Sequence, residues 1–186
     1  MPANRSEQSR RAILDASMSL IGEFAYDSIS IEAIARRAGV SKQTIYRWWP
    51  SKGAVILEAA TESLGSVVSL RDTGNIVADV RTQLTAILEL ITTTDFGGAY
   101  RCLIAAGQSD PDLQRALFDQ IIGPNIEDFG ARVASAQQRG QMSADADWQA
   151  MRDLLYGVIE YRLVHAMPLE PAYIDRILDI VFQQGR

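Results

Sequence analysis

Residues 28–56 read SISIEAIARRAGVSKQTIYRWWPSKGAVI, and this stretch decides the fold. Ser30 is of a type that caps helices, and the helix it would open places Ile31, Ile34, Ala35 and Ala38 on one face. Gly39 suits the left-handed stop of that helix. Ser41 is a second capping type in front of KQTIYRWW, and Pro50 with Ser51 introduces a further helix expected to reach about Leu70. The pattern predicts two short helices meeting across a three-residue turn. That is the helix-turn-helix arrangement, which lays its second helix in the major groove of DNA.

A helical wheel assigns sides to the second helix. With Ile45 facing inward, Trp49 lies about 40° away and Trp48 about 60° away, while Gln43 and Arg47 fall on the opposite side. Thr44 and Tyr46 flank that outer face. Gln bonds adenine with two hydrogen bonds, Arg does the same with guanine, and Thr offers a hydroxyl and a methyl, so Gln43, Thr44 and Arg47 are the candidate base readers. Ser30, Lys42, Tyr46, Trp48 and Lys52 are the candidate phosphate contacts, which fix register without carrying sequence information. For Trp48 a place in the small core fits as well.

Upstream, a first helix over roughly residues 5–24 carries Ile13, Leu14, Ser17, Leu20, Ile21 and Phe24 as an inward stripe. Arg5, Arg10 and Arg11 crowd its start, where positive charge opposes the helix dipole, so either a solvated face or phosphate contact accounts for them. The whole chain has a net charge of −5, unevenly spread. Residues 1–52 hold eight basic and five acidic side chains, a balance of +3, which leaves −8 for residues 53–186. A small basic head on an acidic body suggests one face for a polyanion and another that repels it.

Length and composition set outer limits. The 186 residues, 47% hydrophobic and 22% charged, describe a folding globular chain and exclude disordered or fibrous classes. Cys102 is the single cysteine and His165 the single histidine, so no disulfide, zinc or haem site is expected and no cofactor is implied. His165 near a helix C-terminus reads as a partner of the dipole, and Cys102 as a small buried hydrophobe. No apolar run approaches the ~20 residues needed to cross a bilayer, and MPANRSEQSRR lacks a signal peptide's apolar segment. The expected compartment is the cytoplasm, with no membrane partner.

Beyond a linker at residues 71–74, helices are expected near 75–92, 98–108, 111–121, 124–139, 147–166 and 171–184. Asn75 and Asp110 suit caps, Pro111, Pro124 and Pro171 suit first turns, and Gly140 suits a stop. The fold class is therefore all-α. A helix-turn-helix DNA-binding domain over residues 1–52 precedes a larger helical domain over residues 53–186.

The run from Ile13 and Leu14 through Ile34, Ala35, Ala38, Gly39, Val40, Ser41, Thr44, Ile45 and Tyr46 to Trp49, Pro50, Ser51 and Lys52 resembles the DNA-binding segment of the tetracycline-repressor (TetR) family of transcription regulators. The resemblance implies that Tyr46 and Lys52 touch phosphates, that Thr44 and its outward neighbours enter the groove, and that Ile45 and Trp49 pack inside. Ala25 stands where the family commonly has glycine, and Gly53 where an acidic residue is common. The resemblance further implies that the larger domain dimerises and binds a small-molecule effector. For such a pocket the candidates are Tyr100, Arg101, Gln108, Phe118, Ile122 and Tyr156.

A homodimer also follows from the pattern at residues 147–166, where apolar side chains leave only a narrow polar strip at Arg152, Asp153 and Glu160. A helix apolar nearly all round is buried on two sides, and a second chain can supply one of them. The candidate interface is Ile126, Phe129, Val133, Met151, Leu155, Val158 and Arg162, with Gly130, Ala131, Ala134 and Ser135 permitting close approach. A two-fold dimer predicts a palindromic operator. The enzyme alternative finds no cysteine with a nearby histidine, no glycine-rich phosphate loop and no Glu-x-x-His pair. A helical protein-binding adaptor and a ligand-independent DNA-binding regulator remain the other readings.

Overall fold

The computed structural model describes residues 2–183, and among them the regular structure is helical throughout, with no strand. The side chain of Arg5 lies outside the described residues. Eleven α-helices follow in chain order: α1 (Pro2–Glu23), α2 (Ile31–Ala38), α3 (Lys42–Tyr46), α4 (Lys52–Leu64), α5 (Ile76–Thr93), α6 (Phe96–Gly107), α7 (Pro111–Leu117), α8 (Gly123–Gln138), α9 (Trp148–Arg152), α10 (Val158–Val164) and α11 (Pro171–Gln183). None of the described helices is long and apolar enough to cross a membrane.

The chain forms two compact units, each made of two stretches of sequence: Met1–Gly65 with Thr94–Phe118, and Ser66–Thr93 with Asp119–Arg186. This grouping differs from the expected division after residue 52. The reason lies in α4, which packs against both α1 and α6 and buries Val55, Ile56, Leu57, Ala59 and Ala60. A cut after residue 52 would separate α4 from the helices that cover it.

In the first unit the core is Ile13, Leu14, Ile34, Ile45, Val55, Ile56 and Leu103. Ser17 sits fully buried on the same stripe of α1 because its hydroxyl donates to the Ile13 carbonyl at 2.8 Å, which satisfies it within the helix. Phe24 departs from the stripe and is 51% exposed. Helix α1 ends at Glu23 and the chain turns into a 3₁₀ turn at Tyr26–Ser28, so the periodicity no longer governs where Phe24 points. Helix α4 stops six residues short of the expected Leu70, at Gly65, whose φ of 44° takes the backbone out of the helix.

The second unit closes around Val80, Leu84, Phe129, Val133, Leu155, Ile174 and Leu178. Two π-helical turns, Phe118–Ile122 and Asp153–Gly157, stand where breaks or plain helix were expected. The first precedes Pro124, which has no N–H to return to the preceding turn, and a widened turn accommodates that loss. The second divides the expected helix 147–166 into α9 and α10. A buried ion pair also ties this unit together: Arg132 Nε donates to Asp79 Oδ2 at 2.8 Å, and Asp79 in turn accepts from the Thr73 amide at 3.2 Å and the Thr73 hydroxyl.

Candidate DNA-binding surface

The helix-turn-helix is built by three serine caps. Ser30 Oγ accepts from the Ala33 amide at 3.1 Å, Ser41 Oγ from Thr44 at 3.2 Å, and Ser51 Oγ from Ala54 at 3.2 Å. Each satisfies an amide that the first turn of its helix would leave unpaired. Gly39, with a φ of 68°, ends α2 in the left-handed conformation that a side chain disfavours. Ile45 is fully buried and Trp49 nearly so, and the indole Nε1 of Trp49 donates to Glu58 Oε2 at 2.6 Å. These two anchors hold α3 with one side down.

The opposite side is open. Gln43, Tyr46 and Arg47 are exposed, as the wheel requires. Thr44 is half-buried, with its hydroxyl 3.0 Å from that of Ser41. Trp48 is half-buried, edge-on to Trp49 at 5.3 Å between ring centroids, and carries the Arg47 guanidinium 5.1 Å above its ring. It therefore serves both readings at once, as a wall of the head and a platform for Arg47.

The basic residues are partly spoken for. Lys42 pairs with Glu32 at 2.7 Å, and that carboxylate raises the ammonium pKa, so a phosphate at Lys42 has to compete with Glu32. Arg37 bonds Glu23 at 2.8 Å, and Arg11 lies 3.2 Å from Asp15. Arg10, one of the arginines crowding the start of α1, is not waiting for phosphate: its Nε donates to Glu58 at 2.9 Å and its Nη2 reaches Glu58 and Glu62 of α4. Arg47 makes no ion pair among the described residues and stands exposed just past α3.

Lys52 also has partners within its own unit. Its ammonium turns inward, donating to the carbonyls of Tyr26 at 2.8 Å and Ile29 at 2.9 Å, with the Tyr26 ring 3.9 Å away. Burial pushes its pKa below the usual lysine range. An ammonium with two of its three donors committed ties the α1–α2 connection to the start of α4, and its third donor is not used in these two bonds. Lys52→Ala is accordingly expected to leave two carbonyls unpaired and lower the head's stability by about 1–3 kcal/mol, read by urea unfolding. Unchanged stability with uniformly weakened DNA binding would assign Lys52 to phosphate contact instead.

The six residues expected around a ligand pocket are not gathered within either unit. Tyr100, Arg101, Gln108 and Phe118 belong to the first, with the last three exposed and Tyr100 stacked on Phe96 at 5.7 Å. Ile122 and Tyr156 belong to the second, where the Tyr156 hydroxyl donates to Gln83 and burial pushes the phenol up to about 12. Of the expected interface residues, Phe129, Val133 and Leu155 are fully buried in the core of their own unit and cannot face a second chain. Gly130 likewise serves its own chain, since a Cβ there would lie 3.1 Å from the Trp148 ring. Ile126, Met151 and Val158 are half-buried, and Arg162 is held by the Pro168 carbonyl at 2.8 Å. Among the described residues of the second unit, the large apolar side chains left open are Leu154, Tyr161, Val164, Met167 and Ile180.

A three-helix head with a capped, outward-facing α3 defines a helix-turn-helix DNA-binding protein. Two family models agree with it: the one described as bacterial regulatory proteins, tetR family, matches residues 13–62, and the tetracyclin repressor-like C-terminal domain matches residues 70–181. The chain belongs to the TetR family of transcriptional regulators. It is 33% identical over 160 residues to the uncharacterized HTH-type transcriptional regulator YdeS of Bacillus subtilis, covering 86% of this chain and 80% of that one. It is 30% identical over 183 residues to a protein of Mycobacteroides abscessus named DNA-binding transcriptional repressor TetR, covering 95% and 93% of the two. Among solved structures, the TetR family transcription regulator SCO0332 superposes with a TM-score of 0.78 at 30% identity, over 96% of this chain and 99% of that one. The family consists of regulators rather than enzymes, binds DNA as dimers and typically answers to small-molecule effectors.

Proposed function

We propose that this protein is a cytoplasmic repressor that occupies a palindromic operator as a homodimer and leaves it when a small molecule binds. The observation that carries the reading is the α3 surface, where Gln43 and Arg47 stand exposed opposite the buried Ile45 and Trp49. Gln43, Thr44 and Arg47 read bases, while Ser30, Lys42, Tyr46, Trp48 and Lys52 hold the backbone. Residues 1–52 supply DNA recognition and residues 53–186 supply effector binding and dimerisation. The similarity to a protein named as a repressor supports repression over activation.

The second chain covers α10 and α11 rather than the face of α8. Tyr161 and Val164 lie three residues apart on α10, which puts them on one side of that helix, and Ile180 on α11 is 60% exposed. Uncovered side chains of this size in one region mark a contact surface.

A gel-shift against DNA upstream of the protein's own gene tests the reading, with affinity falling steeply as salt rises because phosphate contacts release counterions. Gln43→Ala and Arg47→Ala are expected to lose about 1–3 kcal/mol at particular base pairs. Lys42→Ala is expected to weaken all sequences alike. Equal losses on operator and random DNA for all three variants would overturn the assignment of the reading face.

A further inference from the structure

Four polar side chains gather in the apolar core of the second unit. Gln83 of α5 is 3% exposed and Asn125 of α8 is 8% exposed, and both are buried polar groups that need partners to be tolerated there. The Tyr156 hydroxyl donates to Gln83 Oε1, and Arg152 Nη2 reaches Asn125 Oδ1 at 3.3 Å. Arg152 Nη1 turns to Asp153, which is itself largely exposed, at 3.2 Å. Arg152 Nε is buried and has no acceptor among the described residues.

The Nε and Nη2 donors lie along one edge of the guanidinium, the edge whose two parallel N–H groups match the two oxygens of a carboxylate. Here one of those donors is idle and the other is held by a long bond. Aromatic surface lies beside the cluster: Phe129 meets Tyr156 edge-on at 5.9 Å, and Trp148 lies 6.4 Å from Phe129. The backbone is irregular at the same place, since the π-helical turn Asp153–Gly157 carries Tyr156 and the turn Phe118–Ile122 ends three residues before Asn125. Such turns recur at functional sites because the extra residue re-aims side chains.

We propose that this cluster is the polar end of the effector site and that the effector is a small amphipathic carboxylate. Its two oxygens take Arg152 Nε and Nη2, displacing the long bond to Asn125, and its apolar body lies against the half-buried rings of Trp148 and Tyr156. The charge of −8 over residues 53–186 repels anions in general, so a carboxylate binds there only where a buried cation is set for it. This inference rests on the reading of the protein as a ligand-released regulator and deepens it by naming the ligand class.

The test uses the full chain and two matched pairs of probes, 4-phenylbutyrate and decanoate, each against its uncharged primary amide. Calorimetry reads binding, and the gel-shift reads release of operator. At least one acid is expected to bind and release DNA, with its amide weaker by roughly tenfold or more, because charge-assisted bonds are lost. Arg152→Gln is expected to abolish the acid's advantage, and Arg152→Lys, which keeps the charge without the fork, to restore only part of it. The wild-type comparison of acid with amide stands even if a variant unfolds, which circular dichroism reports. Equal binding of acid and amide, no binding by either acid, or full acid affinity in a folded Arg152→Gln protein would each overturn the carboxylate site. Release of operator by an amide alone would overturn it while leaving ligand-responsive repression in place; a chain that binds no operator fails the broader reading, while the acid-to-amide comparison still decides the site.

Discussion

Ile180→Arg and Tyr161→Arg are each expected to turn the protein into a monomer and to lower operator affinity by roughly 10²–10⁴-fold, the range by which linking two binding modules exceeds one. Tyr161 is 56% exposed and Ile180 is 60% exposed, so neither substitution opens a hole in the protomer. An arginine at either site would instead place an unpaired charge in a surface that a second chain desolvates. One head alone holds a single short reading helix and spans one half-site, whereas the symmetric pair reads two half-sites about a helical turn or more apart. Sedimentation velocity at micromolar concentration and a gel-shift on the same samples read the two effects. Dimers that persist in both folded variants would move the interface elsewhere.

Arg132→Ala is expected to lower the unfolding free energy by about 3–5 kcal/mol, the cost of breaking a buried pair by removing one partner. The Arg132 and Asp79 side chains are 1% and 2% exposed, and their 2.8 Å bond joins α8 to α5. The same arginine faces Asp72 at 3.6 Å and Gln141 at 3.4 Å, which fastens the 72–74 connection against the turn after α8. Removal of the cation alone strands Asp79 in the core. Replacing both, as Arg132→Leu with Asp79→Leu, is expected to recover most of the loss, because no charge is then left unpaired. Urea unfolding measures the difference, and a single-variant loss under about 1 kcal/mol would place the pair among those that contribute nothing.

Acid should act on the same network. Burial by itself would raise the Asp79 pKa, but the bonds from Thr73 and Arg132 outweigh it and hold the carboxyl below its usual value. Asp72 is lowered too, chiefly by the Ser135 hydroxyl. A carboxylate with a depressed folded pKa contributes stability that is complete above its unfolded value of about 4 and disappears as pH falls through the folded one. In the Arg132→Ala protein this acid sensitivity should shrink at Asp79.

The helix boundaries in the head were legible because their signals are local. A serine three residues before the amide it caps, and Gly39 at the end of α2, act within one turn of chain and need no distant partner. The wheel of α3 was legible for the same reason, with Ile45 buried and Gln43 and Arg47 exposed. Gln83 shows where a signal existed and passed unread. It falls seven residues after Ile76 and three after Val80 on the apolar stripe of α5, so its polar side chain was bound for the core. Lys52 carried no such mark, because its acceptors are backbone carbonyls 23 and 26 residues earlier.

By itself, then, the sequence determined an all-helical chain, a capped helix-turn-helix and the side of α3 that faces outward, since periodicity and capping are set by neighbours three or four residues apart. Only the tertiary structure decided which cations are free and which apolar faces stay uncovered. Arg10 is neutralised by Glu58 and Glu62, some fifty residues along the chain, and that pairing exists only once α1 lies on α4. Phe129, Val133 and Leu155 look as available for a partner as Tyr161 and Ile180 until their own unit closes over them. The reason is physical: hydrophobic burial is non-directional and proportional to area removed from water, so an apolar residue type demands cover without specifying which chain provides it.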